Sequence, residues 1–137
     1  MLVRDIMTTD LTTLGEDETM LDANLIFARA GIHHIPIMNG KHVGGLVKDK
    51  DLKHYSPSIP SRISVGEYNR LMESTPPSKI MTRASQTIEP GKTVREVAQI
   101  FNERRVGCLP EVEGSELKGI GTTTDMVKLL LQMLKEI

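Results

Sequence analysis

Cysteine and the large aromatic residues are nearly absent from this chain. Its single cysteine, Cys108, rules out an intrachain disulfide and any site that needs several thiolate ligands, such as a zinc finger or an iron–sulfur cluster. There is no tryptophan, and only two phenylalanines and two tyrosines are present, so the stacking platform of a single-strand nucleic-acid binder is missing. The composition therefore predicts a protein of a reducing compartment that relies on neither cross-links nor base stacking.

An excess of one charge and a long apolar segment are also missing. The 17 basic and 18 acidic side chains leave a formal net charge of −1, which gives no general attraction to nucleic acid or to anionic lipid. No apolar run approaches the roughly 18 residues of a membrane-spanning helix, and no signal-peptide pattern opens the sequence. We expect a cytoplasmic globular protein with no nucleic-acid partner and no membrane partner.

What the chain does contain is an internal repeat. A shift of 74 positions aligns residues 6–53 with residues 80–127 without a gap, and eleven of the 48 aligned pairs are identical. Chance alone would give roughly three identities. The identical pairs are Ile6/Ile80, Met7/Met81, Thr8/Thr82, Thr13/Thr87, Thr19/Thr93, Ile26/Ile100, Phe27/Phe101, Pro36/Pro110, Gly40/Gly114, Gly45/Gly119 and Asp51/Asp125. We predict two copies, 1–55 and 79–137, joined by a linker at 56–78.

Each copy predicts a helix followed by a β-hairpin. Thr19 and Thr93 open capping boxes, and apolar residues follow each of them at helical spacing. Gly31 is suited to end the first of these helices in the left-handed conformation. Apolar runs on both sides of Asn39-Gly40 and of Glu113-Gly114 then predict one hairpin in each copy.

The remaining elements complete a β-α-β-β-α order in each copy. Short extended segments are expected near 12–14 and 86–88, and a second helix near Asp51 and Asp125. Two prolines, Pro36 and Pro110, are expected to open their strands or to lie where no partner strand requires an N–H. In the linker, a capping box predicts a short helix with one apolar face formed by Val65, Tyr68, Leu71 and Met72.

Three features together resemble the CBS (cystathionine-β-synthase) repeat, which occurs in pairs as the Bateman module. They are the paired Ile-Met-Thr openings, the proline in each first hairpin strand, and Gly-Ile-Gly-Thr-Thr-Thr-Asp-Met at 119–126. The resemblance implies an α+β fold of two tandem β-α-β-β-α repeats packed about a pseudo-twofold axis. It implies a regulatory, non-catalytic role with no resident cofactor, and an adenosine-containing ligand such as AMP, ADP, ATP, S-adenosylmethionine or NAD.

The strand-to-helix segment 119–125 is the first candidate site. Its two glycines would let a ligand approach the backbone, and Asp125, in the first helical turn, would repel a phosphate but accept from ribose hydroxyls. The alternative is that Thr124 only caps the helix while Asp125 only complements its dipole. The resemblance completes this site, site A, with Met7, Thr8, Thr12, His33, His34, Ile35, Pro36, Thr122, Thr124 and Asp125.

Within site A, Met7 and Ile35 are expected to sandwich an adenine, and His33 and His34 to lie toward phosphates. The alternative is that the histidines are a solvated or hairpin-stabilising pair. Neighbouring residues of a strand point to opposite faces, so the two are poorly placed to chelate one metal ion, and no metal is expected.

A mirror site, site B, is implied in the first copy's counterpart segment and is expected to be weaker. Its residues are Lys48, Asp51, Met81, Thr82, Gln86, Gly107 and Cys108. Lys48 stands where Thr122 stands, so it would hold a phosphate as a point charge. The run from Lys48 to Asp51 is alternatively a solvated charge run.

No nucleophile with a base, carboxylate pair or metal cluster is visible, so no enzymatic activity is expected. The competing function is an interaction or dimerisation module whose degenerate clefts bind no nucleotide. Apolar residues surround most of the C-terminal helix, which predicts a homodimer and leaves room for an unidentified regulated protein. They are Met126, Val127, Leu129, Leu130, Leu131, Met133, Leu134 and Ile137.

Overall fold

The computed structural model describes residues 1–55, 64–83 and 86–136. Within these ranges the chain is a mixed α+β protein with five α-helices and two β-sheets, as the sequence predicts. The first part of the predicted linker, 56–63, lies outside the described residues, and so does Ile137.

The chain forms two compact units whose limits differ from those of the sequence copies. The central unit is Thr12–Ser85, and the terminal unit combines Met1–Leu11 with Gln86–Ile137. The Ile-Met-Thr opening of each copy therefore belongs to the unit that holds the hairpin of the other copy. The sequence copies 1–55 and 79–137 thus mark the repeat, whereas the compact units exchange its opening segments.

The central unit is built around a four-stranded sheet. Its elements are β1 (Leu14–Gly15), α1 (Met20–Ala30), β2 (His34–Asn39), β3 (His42–Lys48), α2 (Asp49–Tyr55), α3 (Val65–Ser74), a 3-10 helix (Pro77–Lys79) and β4 (Thr82–Arg83). The strand order is β1-β2-β3-β4, with β1 parallel to β2 and the other pairs antiparallel. The buried apolar core of this unit consists of Leu14, Met20, Ala23, Ile35, Ile37, Val47, Leu52 and Met72.

The terminal unit repeats this arrangement around a two-stranded hairpin. Its elements are a 3-10 helix (Val3–Asp5), α4 (Val94–Glu103), β5 (Cys108–Glu113), β6 (Glu116–Thr122) and α5 (Thr123–Lys135). Ile88 pairs in parallel with Glu111 on β5, and Thr8 pairs antiparallel with Ile120 on β6, so these bridges take the places of β1 and β4. Its buried apolar core consists of Val3, Ile88, Val97 and Leu109.

Most local predictions are confirmed. Thr19 and Thr93 are N-caps of α1 and α4, and each forms a reciprocal capping box with the acidic residue three positions later. Gly31 ends α1 at φ 64°, and Gly40 and Gly114 form the hairpin turns at φ 61° and 64°. Each of these turns requires a positive φ, which glycine adopts without the steric cost that other residues incur.

The two strand prolines lie deeper in their strands than expected. Pro36 and Pro110 are each the third residue of a strand, so the expectation that they open it is wrong. The structure agrees with the other expectation, that no partner strand requires a proline N–H. Strand β1 pairs with β2 at Ile37 and Met38, beyond Pro36. In the terminal unit the Pro110 carbonyl accepts the Ile88 N–H, so this contact uses the proline oxygen and not its nitrogen.

The linker helix is confirmed as α3, but its apolar face is only half right. The Ser64 hydroxyl accepts the backbone N–H three residues on and caps the helix. Met72 is fully buried and Tyr68 packs against the central core. Val65 and Leu71 are instead 77% and 37% exposed, so only Tyr68 and Met72 of the predicted face pack on the central core.

Candidate functional site

The junction between β6 and α5 brings three predicted site residues together. Thr122, not Thr124, is the N-cap of α5, so the simple capping role considered for Thr124 is wrong. The Thr122 hydroxyl accepts the Asp125 backbone N–H at 3.1 Å, and the Thr122 N–H donates to Asp125 Oδ2 at 3.0 Å. Asp125 therefore has a structural role in the capping box, and Thr124 is exposed in the first helical turn.

The Asp125 carboxylate nevertheless keeps hydrogen-bonding capacity. The residue is 9% exposed, and its Oδ1 bonds to none of the residues that the structure describes. In the boxes at Thr19 and Thr93, the threonine hydroxyl also donates to its carboxylate at 3.1 Å. No such donation links the Thr122 hydroxyl to the Asp125 carboxylate. A hydroxyl proton and a carboxylate oxygen thus remain for an outside partner.

The opening segment lies along β6 in the same unit. Thr8 and Ile120 exchange two backbone hydrogen bonds, at 3.0 Å and 2.9 Å. A Cβ on Gly119 would come within 2.7 Å of the Met7 Sδ and Cε atoms, so any larger residue would push Met7 away. The glycine expected to admit a ligand therefore makes room for Met7. The terminal unit thus places Met7 and Thr8 beside the strand that leads to Asp125.

In the central unit, Met81 and Thr82 lie along β3 as Met7 and Thr8 lie along β6. Met81 Sδ lies 2.8 Å from the position of a Cβ on Gly45, as Met7 does over Gly119. Thr82 is the first residue of β4, which pairs with β3. Lys48 ends β3, and Asp51 lies in the first turn of α2. Four predicted members of site B therefore occur together in this unit.

An interaction that the sequence analysis missed joins His33 to Asp49. The His33 Nδ1 and Asp49 Oδ2 atoms are 2.8 Å apart, and the Asp49 N–H donates to the His33 carbonyl at 3.1 Å. Asp49 is therefore not part of a merely solvated charge run. The terminal unit keeps the backbone bond, from the Thr123 N–H to the Gly107 carbonyl at 3.0 Å, but a glycine cannot supply the side-chain contact.

The other site A residues of the central unit differ in burial. Ile35 and Pro36 are fully buried, and the Ile35 side chain is part of the central core, so its adenine-sandwich role stays a prediction. Burial, and then the positive charge of Lys48, lower the pKa of His34 below its usual range. His34 is therefore neutral at pH 7 and can offer a ring N–H, but not a cation, to a phosphate. Thr12 is exposed and precedes β1.

The last three site B residues lie in the terminal unit. Gln86 Oε1 accepts from an Arg104 guanidinium N–H at 2.8 Å, and the Gly107 carbonyl is occupied by Thr123. Cys108 is buried in β5, as the sequence indicates. The residues predicted for site A, like those predicted for site B, are divided between the two units. No helix in the described part of the chain is long and apolar enough to cross a membrane.

Comparison with known proteins identifies the family. The CBS domain family matches residues 3–58 and 78–132. The crystal structure of AcuB from Vibrio cholerae, a candidate acetoin utilization protein, matches with a TM-score of 0.80 and 28% identity, covering 98% of this chain and 93% of that one. The CBS domain pair of protein MJ0100, in complex with 5′-methylthioadenosine and S-adenosyl-L-methionine, has a TM-score of 0.77 at 21% identity and covers 97% and 98%. CBSX2 in complex with AMP has a TM-score of 0.77 at 20% identity and covers 96% and 97%. With both of its repeats matched, the chain belongs to the CBS-domain family.

Proposed function

We propose that this protein is a regulatory module that binds an adenosine-containing ligand, with Asp125 accepting hydrogen bonds from the ribose hydroxyls. The observation that carries the proposal is the nearly buried Asp125 carboxylate, of which only Oδ2 is used by the capping box. Beside it, the Thr122 hydroxyl accepts a backbone N–H and still has a proton to donate.

The chemistry of this group selects the kind of ligand atoms that fit it. A carboxylate accepts hydrogen bonds and repels anions, so a phosphate placed against Asp125 is disfavoured. A ribose 2′,3′-diol supplies two neutral donors, and hydrogen bonds to a charged acceptor are roughly twice as strong as neutral ones. The sugar of a nucleoside therefore suits Asp125, while Thr122 can donate to a ribose or phosphate oxygen.

The structural neighbours support the adenosine part of this proposal. MJ0100 was solved with 5′-methylthioadenosine and S-adenosyl-L-methionine, and CBSX2 with AMP. These three ligands share the adenosine moiety and differ at the 5′ position. CBS-pair proteins are generally regulatory modules rather than catalysts, which agrees with ligand sensing as the role of this chain.

The two repeats are not equivalent in this proposal. Lys48 and Lys50 occupy the positions of Thr122 and Thr124. Two ammonium groups favour an anionic ligand over a neutral sugar, because they act as point charges toward phosphate. We assign the stronger adenosine-binding role to the residues around Asp125, and a weaker or more anionic one to those around Asp51.

Calorimetry with a matched ligand panel tests the proposal. AMP, ATP, S-adenosylmethionine and NAD are each titrated into the protein, with GMP and CMP as base controls and 2′,3′-dideoxy-AMP as the sugar control. We expect saturable binding of at least one adenosine compound and little response to the controls. The absence of heat with every adenosine compound at millimolar concentration would leave the interaction-module function in its place.

We also propose that a second copy of the chain covers helix α5. Its apolar residues Val127, Leu130, Leu131 and Leu134 recur at helical spacing along one stripe, and each is between 52% and 55% exposed. An apolar stripe on a single helix can pack against its own copy across a twofold axis, because the same surface is presented by both chains.

Light scattering at tens of micromolar protein tests this assembly. The wild type should have the mass of a dimer, and Leu130→Glu should have the mass of a monomer, because it places a charge in the apolar stripe. The control, Gln132→Glu, introduces the same charge at an exposed polar position of α5 and should remain dimeric. A monomeric wild type would contradict the proposal.

A further inference from the structure

One carboxyl oxygen is buried without a partner in the described part of the terminal unit. Glu111, the fourth residue of β5, is 1% exposed, and its Oε2 is buried with no hydrogen-bond partner among the residues that the structure describes. At the equivalent position, 74 residues earlier, the first copy has Ile37, which is fully buried in the central core. A buried carboxylate with an unpartnered oxygen is disfavoured in its charged form, so this position favours a neutral group.

The register of the hairpin places Glu111 on the face that the opening segment covers. Glu111 pairs directly with Gly119, and residues directly opposite each other in a sheet direct their side chains to the same face. On that face, Met7 occupies the space beside Gly119. The central unit has the same arrangement, with Ile37 opposite Gly45 and Met81 over that glycine. The two units therefore differ at this place by one ionisable group.

Three effects act on the ionisation of Glu111. Burial is the largest and raises the pKa of the carboxyl above its usual range. The positive charge of Arg4, from the 3-10 helix Val3–Asp5, lowers this pKa, and the negative charge of Glu113 on the same strand raises it. Arg4 is exposed, so solvent screens its charge, and burial dominates.

We propose that Glu111 is a proton-controlled latch for the opening segment of the chain. With Glu111 protonated, residues 3–8 lie closed on the β5–β6 hairpin. When the carboxyl ionises, opening of the segment lets water reach the charge. Because the segment carries Met7 and Thr8, opening also changes the candidate ligand site. That consequence rests on the proposed function, whereas the latch itself does not.

The sign of the pH dependence follows from linkage. The carboxyl has a higher pKa in the closed state than in the open state, where it is near the ordinary value of 4.5. The closed state is therefore fully favoured below about pH 4.5, and it is progressively lost as the pH rises to the raised closed-state pKa. Over that window the opening constant rises by up to about tenfold per pH unit, and above it stays level.

Amide hydrogen exchange at Thr8 and Ile120, whose backbones bond each other, reports this opening directly. The wild type is compared with Glu111→Gln at each pH, which removes the intrinsic pH dependence of exchange. Relative to the variant, the wild-type amides should exchange increasingly fast as the pH rises through the window. The pairing of Thr82 with Leu46 serves as an internal control, because Ile37 lies in that unit and the ratio there should stay constant.

Two further variants and a direct measurement of the Glu111 pKa test the same proposal. Glu111→Ile, which installs the residue of the first copy, should match Glu111→Gln in its pH-independent protection. Glu113→Gln should keep the pH dependence but shift it to lower pH, because the negative charge of Glu113 raises the pKa of Glu111. The pKa of Glu111, measured by carbon NMR of the side-chain carboxyl, should lie above 4.5. Equal exchange of wild type and Glu111→Gln at every pH, or a Glu111 pKa at or below the ordinary value, overturns the latch and leaves the ligand proposal untouched.

Discussion

Replacing Asp125 with alanine separates two roles of one carboxylate. In the free protein this side chain closes the capping box of α5, and in the proposed complex it accepts from the ribose. Asp125→Ala should therefore lower both the stability of the protein and its affinity for adenosine ligands. The structure supplies a control for the first effect, since Asp22 closes the same kind of box with Thr19 at the start of α1.

The two effects are read from different quantities, the free energy of unfolding and the affinity for the ligand. Asp125→Ala and Asp22→Ala each remove one capping-box hydrogen bond, which costs about 0.5–1.5 kcal/mol of stability. Each also removes a favourable charge from a first helical turn, which costs about 0.3–1 kcal/mol more. A hydrogen bond to a charged acceptor contributes about 1.5–3 kcal/mol to binding, which corresponds to a tenfold to hundredfold loss of affinity. Only Asp125→Ala should show this second loss.

Urea denaturation and calorimetry with AMP and S-adenosylmethionine measure the two effects on Asp125→Ala, Asp22→Ala and Asp51→Ala. We expect similar losses of stability for the first two variants, near-normal affinity for Asp22→Ala, and a smaller affinity loss for Asp51→Ala than for Asp125→Ala. If Asp125→Ala binds as the wild type does while Asp51→Ala loses binding, the working site belongs to the other repeat. If Asp22→Ala loses as much affinity as Asp125→Ala, the effect on binding is only one of stability.

Two further substitutions test the packing that supports the site. Gly119→Ala should displace Met7 and lower the affinity for AMP in calorimetry, because a Cβ there would lie 2.7 Å from the Met7 sulfur, whereas Gly91→Ala has no atom within 4 Å and should bind normally. Met72→Ala, in a fully buried position, should lower the unfolding free energy in urea by about 2–5 kcal/mol, and the more exposed Leu71→Ala should cost much less. Equal behaviour of the two variants within either pair would contradict this account of the packing.

Features set by neighbouring residues were predictable from the sequence. The capping boxes at Thr19 and Thr93 and the left-handed end of α1 at Gly31 depend on residues within one helical turn, and all three occur as expected. The repeat itself fixed the order of strands and helices. The composition of α5 likewise indicated apolar residues without cover, and several of them are exposed on that helix.

Features that depend on distant segments were not predictable in this way. A side chain at position 119 would collide with Met7, which explains the glycine there. Met7 is more than a hundred residues earlier in the chain, and a sequence pattern alone does not show that contact. The partner of His33 is Asp49, which hairpin formation brings close. Ile35 looked available to a ligand, but its side chain enters the core. Glu111 lies within an apolar strand pattern. Only its pairing with Gly119 shows that its side chain is on the face where Met7 lies.

The exchange of opening segments has a consequence for how this protein is made. Thr8 pairs with Ile120, so the terminal unit cannot close until Ile120 has left the ribosome. The central unit needs only the chain up to Thr82, and its contacts can form while the second copy is still being synthesised. Closing the longer loop carries the larger entropic cost and gives the terminal unit the higher contact order. We therefore expect the central unit to fold first during synthesis. Residues 1–11 should join the terminal unit only after strand β6 has been made.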